Sequence, residues 1–308
     1  MASVEKVIYI SGAGRCGSTL LERILHSAEN VTSVGELHCL WRLPAEAITC
    51  SCGNAFVADA HWRAILSAAG FDAATLAELR QLEDSVCHSG FIARHRFSID
   101  SLRDDPRVQQ FLELQFRLFD AIAEVDGSTV VVDSSKAGPR AWLMACDPRV
   151  KVLHLHRDPA DVIVSWRSVK FDPGLGTAMK RMPIRGAALD WWKVDRLAAL
   201  LARVHPVIRV DYRELCASPQ TVVANVLAAM EIALAPGPQW TAPDAVQPGP
   251  DYHSLNGNPD RFDKGTLRIA LREADWSRIA RAERPLIRLT AGALRLLSPA
   301  GHKMARWS

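Results

Sequence analysis

Apolar residues alternate along the chain between two rhythms. Short β-branched runs lie at residues 7–10, 31–34, 129–133, 150–156 and 207–211, and runs this apolar predict strands covered on both faces, as in a parallel sheet. Between them the spacing becomes helical. Leu20, Leu21, Ile24, Leu25 and Ala28 share one face after the first run, as do Phe111, Leu114, Leu118, Ala121, Ile122 and Val125 over residues 108–125. Val162, Ile163, Trp166 and Val169 form a further stripe in a helix reaching about Lys170. Helices are also predicted over 187–204, 218–230 and 273–298, the last interrupted at Pro285. Strand, turn and helix thus recur three times, which predicts an α/β fold with a central, mostly parallel five-stranded sheet flanked by helices.

One stretch does not fit a simple repeat. Residues 37–125 read as helices interrupted at 50–54, near Gly70, at 87–90 and at 104–106, too long for a connection between neighbouring strands. We expect a helical insertion capping the site within a single 1–308 domain. Residues 171–186 read as a mobile loop, and 235–249, rich in Pro and Gly, as a surface connection. Trp191 and Trp192 read as core or cap packing.

Composition narrows the class. A chain of 308 residues, 48% hydrophobic and 23% charged, is ordinary for a globular protein. A net charge of +3 does not by itself point to nucleic acid, yet permits a local basic site for a small polyanion. No secretory h-region and no run near ~18 apolar residues occurs, so a cytoplasmic protein without a transmembrane segment is expected. Basic residues from Arg278 to Arg306 read as a solvated helix face, with peripheral membrane contact as the other reading. Seven cysteines in such a chain are expected to be reduced. Cys50-Ser51-Cys52-Gly53 is the tight pair, and with no second CxC or CxxC at zinc-finger spacing it reads as structural, with no metal.

The chemistry starts where the first run meets Ser11-Gly12-Ala13-Gly14-Arg15-Cys16-Gly17-Ser18-Thr19. Glycines let consecutive amides turn around an anion, and the following helix directs its free N–H groups and dipole at the same point. Gly12 and Gly17 have the spacing of GxxxxGK[ST], but Ser18 stands where the lysine should. A plain glycine turn is the bland alternative. Three further strand ends carry polar groups: Glu36; Ser134, Ser135 and Lys136; and Arg157, with Ser165 along its helix. In a parallel sheet these ends share one edge, where ligands of open α/β folds gather. Glu36 suits a general base, with a cap on a helix beginning near Leu37 as the weaker alternative.

These residues carry a resemblance. Gly14-Arg15-Cys16-Gly17-Ser18-Thr19-Leu20-Leu21 resembles the 5′-phosphosulfate loop of sulfotransferases that use 3′-phosphoadenosine 5′-phosphosulfate. The run from His156-Arg157-Asp158-Pro159 to Ser165 resembles the signature whose arginine and serine hold the 3′-phosphate. Val132-Asp133-Ser134-Ser135-Lys136, Val210-Asp211-Tyr212-Arg213-Glu214-Leu215 and the 253–262 stretch resemble further segments of bacterial members. The resemblance implies a three-layer P-loop-like fold and transfer of a sulfuryl group to a hydroxyl of a small-molecule or carbohydrate acceptor, without a required metal. It implies that Gly14, Arg15, Cys16, Gly17, Ser18 and Thr19 bind the 5′-phosphosulfate and that Arg157 and Ser165 bind the 3′-phosphate. Glu36 is the implied base, with His38 as runner-up, and Lys136 the implied stabiliser of the transferring group. Arg261 and Lys264 are implied on the phosphate or adenine side, within a cofactor-covering region at 235–268. Two departures stand out: Cys16 replaces the usual serine, keeping only its amide, and Ala60 precedes His61-Trp62 where the family often has a further cysteine. A P-loop kinase of a nucleotide or small metabolite is the alternative reading, and a non-catalytic anion-binding module a third.

Overall fold

The computed structural model describes residues 3–249 and 252–298. Five strands, β1 (Lys6–Ser11), β2 (Val31–Gly35), β3 (Val130–Lys136), β4 (Val150–His156) and β5 (Val207–Asp211), form one sheet in the order β2-β3-β1-β4-β5. Every ladder in it is parallel. Covering both faces is what makes the strands read as apolar runs.

Alternation along β1 divides the core. Val7 and Tyr9 point to one side, with Val131, Val152 and the helices of the 37–125 stretch. Ile8 and Ile10 point to the other, with Val132, Leu153, Leu155 and the helices Ser18–His26 and Pro219–Ala229. The longest helix, Pro106–Asp126, starts with Asp105 as N-cap and proline in its first turn, and stops at Gly127 at φ 62°. It lies against the sheet with Ala60–Ala68 and Ala73–Val86. Of the 37–125 residues, His38, Leu43, Ala47 and Thr49 reach the functional cleft. The long insertion therefore builds mostly one flank of the sheet.

The connection from β3 to β4 crosses over β1, so a crevice opens beyond the C-terminal end of β1. β3 runs further than its apolar pattern suggests and carries Ser134, Ser135 and Lys136 on its last residues. The helix after β4 stops at Arg167, and Val169, placed in its apolar stripe by spacing, is 59% exposed. The 171–186 loop contains a small hairpin, Phe171–Asp172 with Thr177–Ala178, and leads into the Ile184–Leu201 helix. Trp240–Ala242, Ala245–Val246 and Leu267–Arg268 form a second, antiparallel sheet where the sequence suggested plain connection.

The 273–298 region is a 3-10 turn, Trp276–Arg278, and a helix, Arg284–Leu297. Pro285 opens that helix instead of interrupting it, because a missing N–H costs nothing in a first turn. The outer face bears Leu289 and Leu296, 74% and 89% exposed, so it is not a simple charged face; Arg306 lies outside the described residues. No described helix is long and apolar enough to cross a membrane.

Candidate active site

Three positions in the turn after β1 leave no room for a Cβ: Gly12, Gly14, where it would meet the Trp166 ring at 2.5 Å, and Gly17. A Cβ at Gly12 would stand 2.7 Å from the Leu155 carbonyl oxygen, and one at Gly17, where φ is +106°, 2.5 Å from the Tyr212 ring. The Ser18–His26 helix begins directly afterwards, so its first amides have no intrahelical acceptor and its positive end faces the crevice. Ser18 and Thr19 are buried in that first turn, and Thr19 Oγ1 accepts the Asn258 amide at 3.3 Å. Arg15 lies over the Trp166 ring, 4.7 Å from its centroid, while Trp166 Nε1 donates to the Gly14 carbonyl at 3.1 Å. Arg15 Nε is buried without an acceptor among the described residues, and burial lowers its pKa despite Glu36 and Asp172 nearby.

Across from this loop, Glu36 and Lys136 form an ion pair at 2.5 Å, their side chains 23% and 15% exposed. The Glu36 amide donates to the Leu255 carbonyl at 2.9 Å. Burial alone would raise the Glu36 pKa, but Lys136, with His38 and Arg15, brings it below its ordinary value. Lys136 shows the converse: burial opposes its charge, yet Glu36 leaves its pKa raised. His38 lines the same cleft, its amide bound to Ser135 Oγ at 3.3 Å, and burial lowers its pKa. Ser135 is in turn held by Asp133, through its amide at 2.8 Å and its hydroxyl at 2.5 Å.

At the other end, Arg157 leaves β4 with its carbonyl held by Trp191 Nε1 at 2.9 Å and its guanidinium 4.4 Å from the Tyr212 ring centroid. Its Nη1 donates to the Arg15 carbonyl at 3.1 Å and its Nη2 to that of Arg272 at 2.5 Å, while Nε is buried without an acceptor among the described residues. Ser165 lines the cleft from the Pro159–Arg167 helix. Lys170 completes the cluster. Its pKa is pushed down to about 8 by burial and then by Arg15, with Arg157 and Arg272 adding to the effect against Asp260. Burial and neighbouring cations disfavour a further charge there, and Asp260 offsets only part of the effect.

The structure therefore brings Gly14, Arg15, Gly17, Ser18, Thr19, Glu36, His38, Lys136, Arg157 and Ser165 to one cleft of about 1160 Å³. Three other sequence candidates lie elsewhere. Cys16 turns inward, 1% exposed, and its amide donates to the Ala13 carbonyl at 3.0 Å, so neither its thiol nor its N–H faces a ligand. Arg261 is fully buried and binds Asp172 at 3.1 Å, Thr49 Oγ1 at 2.5 Å and the Gly257 carbonyl at 3.0 Å. Lys264 donates to the Ser51 carbonyl at 3.0 Å. The residues missed are Lys170, Trp166, Tyr212 and Arg272, all lining the cleft. Trp166 sits on a helical stripe that reads as core, and Lys170 in a basic loop, so neither carried a signal of its own.

Comparison with known proteins follows the same direction. Residues 8–236 match the profile described as the sulfotransferase family. No curated protein matches. Among solved structures, the sulfotransferase domain from the Synechococcus PCC 7002 olefin synthase is 18% identical over 75% of each chain, with a TM-score of 0.38. The sulfotransferase domain from the curacin biosynthetic pathway is 17% identical over 75% of each chain, TM-score 0.40. Sulfotransferase STF1 from Mycobacterium tuberculosis H37Rv is 19% identical over 75% of this chain and 69% of its own, TM-score 0.44.

Proposed function

The chain belongs to the sulfotransferase family, and from that premise we propose that it transfers the sulfuryl group of 3′-phosphoadenosine 5′-phosphosulfate to a hydroxyl of a small-molecule or carbohydrate acceptor by in-line displacement. The observation that carries this reading is the Glu36–Lys136 pair facing the glycine loop within one cleft.

The cleft suits such a donor. The crowded charges of Arg15, Arg157 and Lys170, and the Arg15 Nε without an acceptor among the described residues, favour a ligand with more than one anionic group; Arg157 Nε has Asp161 at 3.9 Å. Arg15, Gly17, Ser18 and Thr19 would hold the phosphosulfate end, and Arg157 and Ser165, joined by Lys170, the 3′-phosphate. The donor supplies the activated sulfuryl group when bound. Glu36 is held as a carboxylate at neutral pH and takes the acceptor's proton, the general-base role. Lys136 sits within reach of the same point and neutralises negative charge developing there. Arg15, fixed between Trp166 and Met179, supplies a second, pre-oriented cation.

Calorimetry tests the donor assignment. Adenosine 3′,5′-bisphosphate is expected to bind, and Arg157→Ala to weaken it by about 10- to 100-fold, the loss of roughly 1.5–3 kcal/mol typical of a charge-assisted contact. An unchanged dissociation constant in a folded variant rejects the role of Arg157, and preferential magnesium-dependent ATP binding rejects the donor in favour of a kinase. Protonation supplies an independent reading. Because Lys170 titrates near pH 8, an arriving polyanion should raise its pKa and draw protons from solution at that pH. Binding enthalpies compared in buffers of different ionisation heat should show proton uptake in the wild type and much less in Lys170→Met; equal uptake in both would refute the placement.

A further inference from the structure

Outside the cleft, four side chains with metal-ligating atoms meet: Cys50, Cys52, Asp59 and His253. Cys50 Sγ lies 3.4 Å from His253 Nδ1, Cys52 Sγ 3.2 Å from Asp59 Oδ2, and Asp59 Oδ2 3.4 Å from His253 Nδ1. All four ligand atoms are within 4.8 Å of one another. In a tetrahedral zinc site, bonds of ~2.3 Å to sulfur and ~2.0–2.2 Å to nitrogen or oxygen place neighbouring ligand atoms roughly 3.3–3.8 Å apart. Two of the three distances match edges of such a tetrahedron, and the Cys52–Asp59 distance of 3.2 Å is slightly shorter. We propose that Cys50, Cys52, Asp59 and His253 bind one zinc ion as a closed, structural site.

The donor chemistry selects the ion, since two sulfurs, an imidazole and a carboxylate suit borderline-soft zinc better than the hard cations that prefer oxygen. The surroundings hold each ligand in place. Asp59 caps the Ala60–Ala68 helix through Oδ1, which accepts the His61 amide at 3.0 Å and leaves Oδ2 for the ion. The Asn54 amide points at Cys52 Sγ from 3.4 Å. The His253 ring stacks on His61 with centroids 4.0 Å apart, and its carbonyl accepts Trp62 Nε1 at 3.1 Å. Outer contacts of this kind orient ligands in metal sites. Asp59 and Cys50 are 1% and 0% exposed, and a carboxylate buried so deeply is either paired or bound to a metal.

The ion would act at a distance from the chemistry. It ties the 50–52 turn and the start of a helix to a segment 203 residues further along the chain. Two residues after His253, the Leu255 carbonyl receives the Glu36 amide, and Asn258 then meets Thr19. A zinc site here fixes the loop that seats the catalytic carboxylate. The proposal is independent of which group the cleft transfers.

Elemental analysis tests it directly. The full chain, expressed with zinc in the medium and purified without chelator, should carry one zinc per chain. Cobalt in its place should show thiolate-to-metal charge transfer and the intense visible bands of tetrahedral coordination. Cys52→Ser and His253→Ala should lose the ion; Asp59→Cys should keep it and strengthen the charge-transfer band, a gain that misfolding cannot mimic. A wild-type chain with reduced thiols and no zinc above the level of His253→Ala overturns the proposal. So does a mass showing a Cys50–Cys52 disulfide, or zinc retained undiminished in a folded Cys52→Ser, His253→Ala double variant.

Discussion

Glu36→Gln is expected to reduce turnover by about 10²- to 10⁴-fold, the contribution typical of a positioned general base. The amide keeps the size of the side chain and the backbone bond to Leu255, so the loop geometry survives while the proton acceptor is lost. Affinity for adenosine 3′,5′-bisphosphate should change little, because Glu36 faces the transfer point and Arg157 and Lys170 remain. Turnover measured beside calorimetry separates the two effects. If turnover persists at more than a tenth of wild type, His38, which lines the same cleft, becomes the base and His38→Asn should then abolish it.

The pH profile follows from the same pair. Burial pushes the Glu36 pKa up, but Lys136 at 2.5 Å outweighs it and leaves the carboxyl below its ordinary value. On the acid side, wild-type activity should therefore hold through neutral pH and fall only below the usual carboxylate range.

Arg140→Ala is expected to cost on the order of 3–5 kcal/mol of stability, the range for leaving buried charges unpaired. Arg140 is fully buried and joins Glu83 at 3.0 Å and Asp133 at 3.3 Å, with Gln115 as a further acceptor. Its guanidinium also lies 5.2 Å and 5.4 Å from the Trp41 and Phe111 ring centroids. Glu83 retains Arg42 at 2.5 Å, whereas Asp133 loses its ion-pair partner, so the larger part of the cost falls on the sheet. Against a total of roughly 5–15 kcal/mol for a folded protein, this loss should leave the chain marginal. Urea unfolding should show a clear drop in midpoint at an unchanged slope; an unmoved midpoint would rule out this network as a support of the fold. Because Asp133 also holds Ser135, the variant should lose activity through Lys136 even where it remains folded.

Much of the architecture was legible in the chain. The run at 207–211 matches β5 and that at 150–156 matches β4, because strands covered on both faces must be apolar throughout. β3 reads short in sequence because its last three residues are polar: Ser135 and Lys136 line the crevice, and Ser134 donates to buried Glu22. Pro285 reads as a break, since sequence does not distinguish a proline opening a helix from one ending it until neighbouring contacts decide.

The sequence by itself determined the glycine loop, the parallel strands and the polar residues at their ends, since turn geometry and apolar periodicity are properties of a few consecutive residues. Only the tertiary structure decided which charges meet. Arg261 reads like a ligand-binding arginine, yet packing places Asp172 and Thr49 against it. Lys170 reads like one of many basic loop residues, yet folding sets it beside Arg15 and Arg157. Cys50 and Cys52 read as a pair without partners, and their partners are an aspartate seven residues from Cys52 and a histidine 203 residues from Cys50. Electrostatic and ligand-forming contacts act over a few ångströms in space whatever the separation along the chain, and one sequence without its fold carries no measure of that distance.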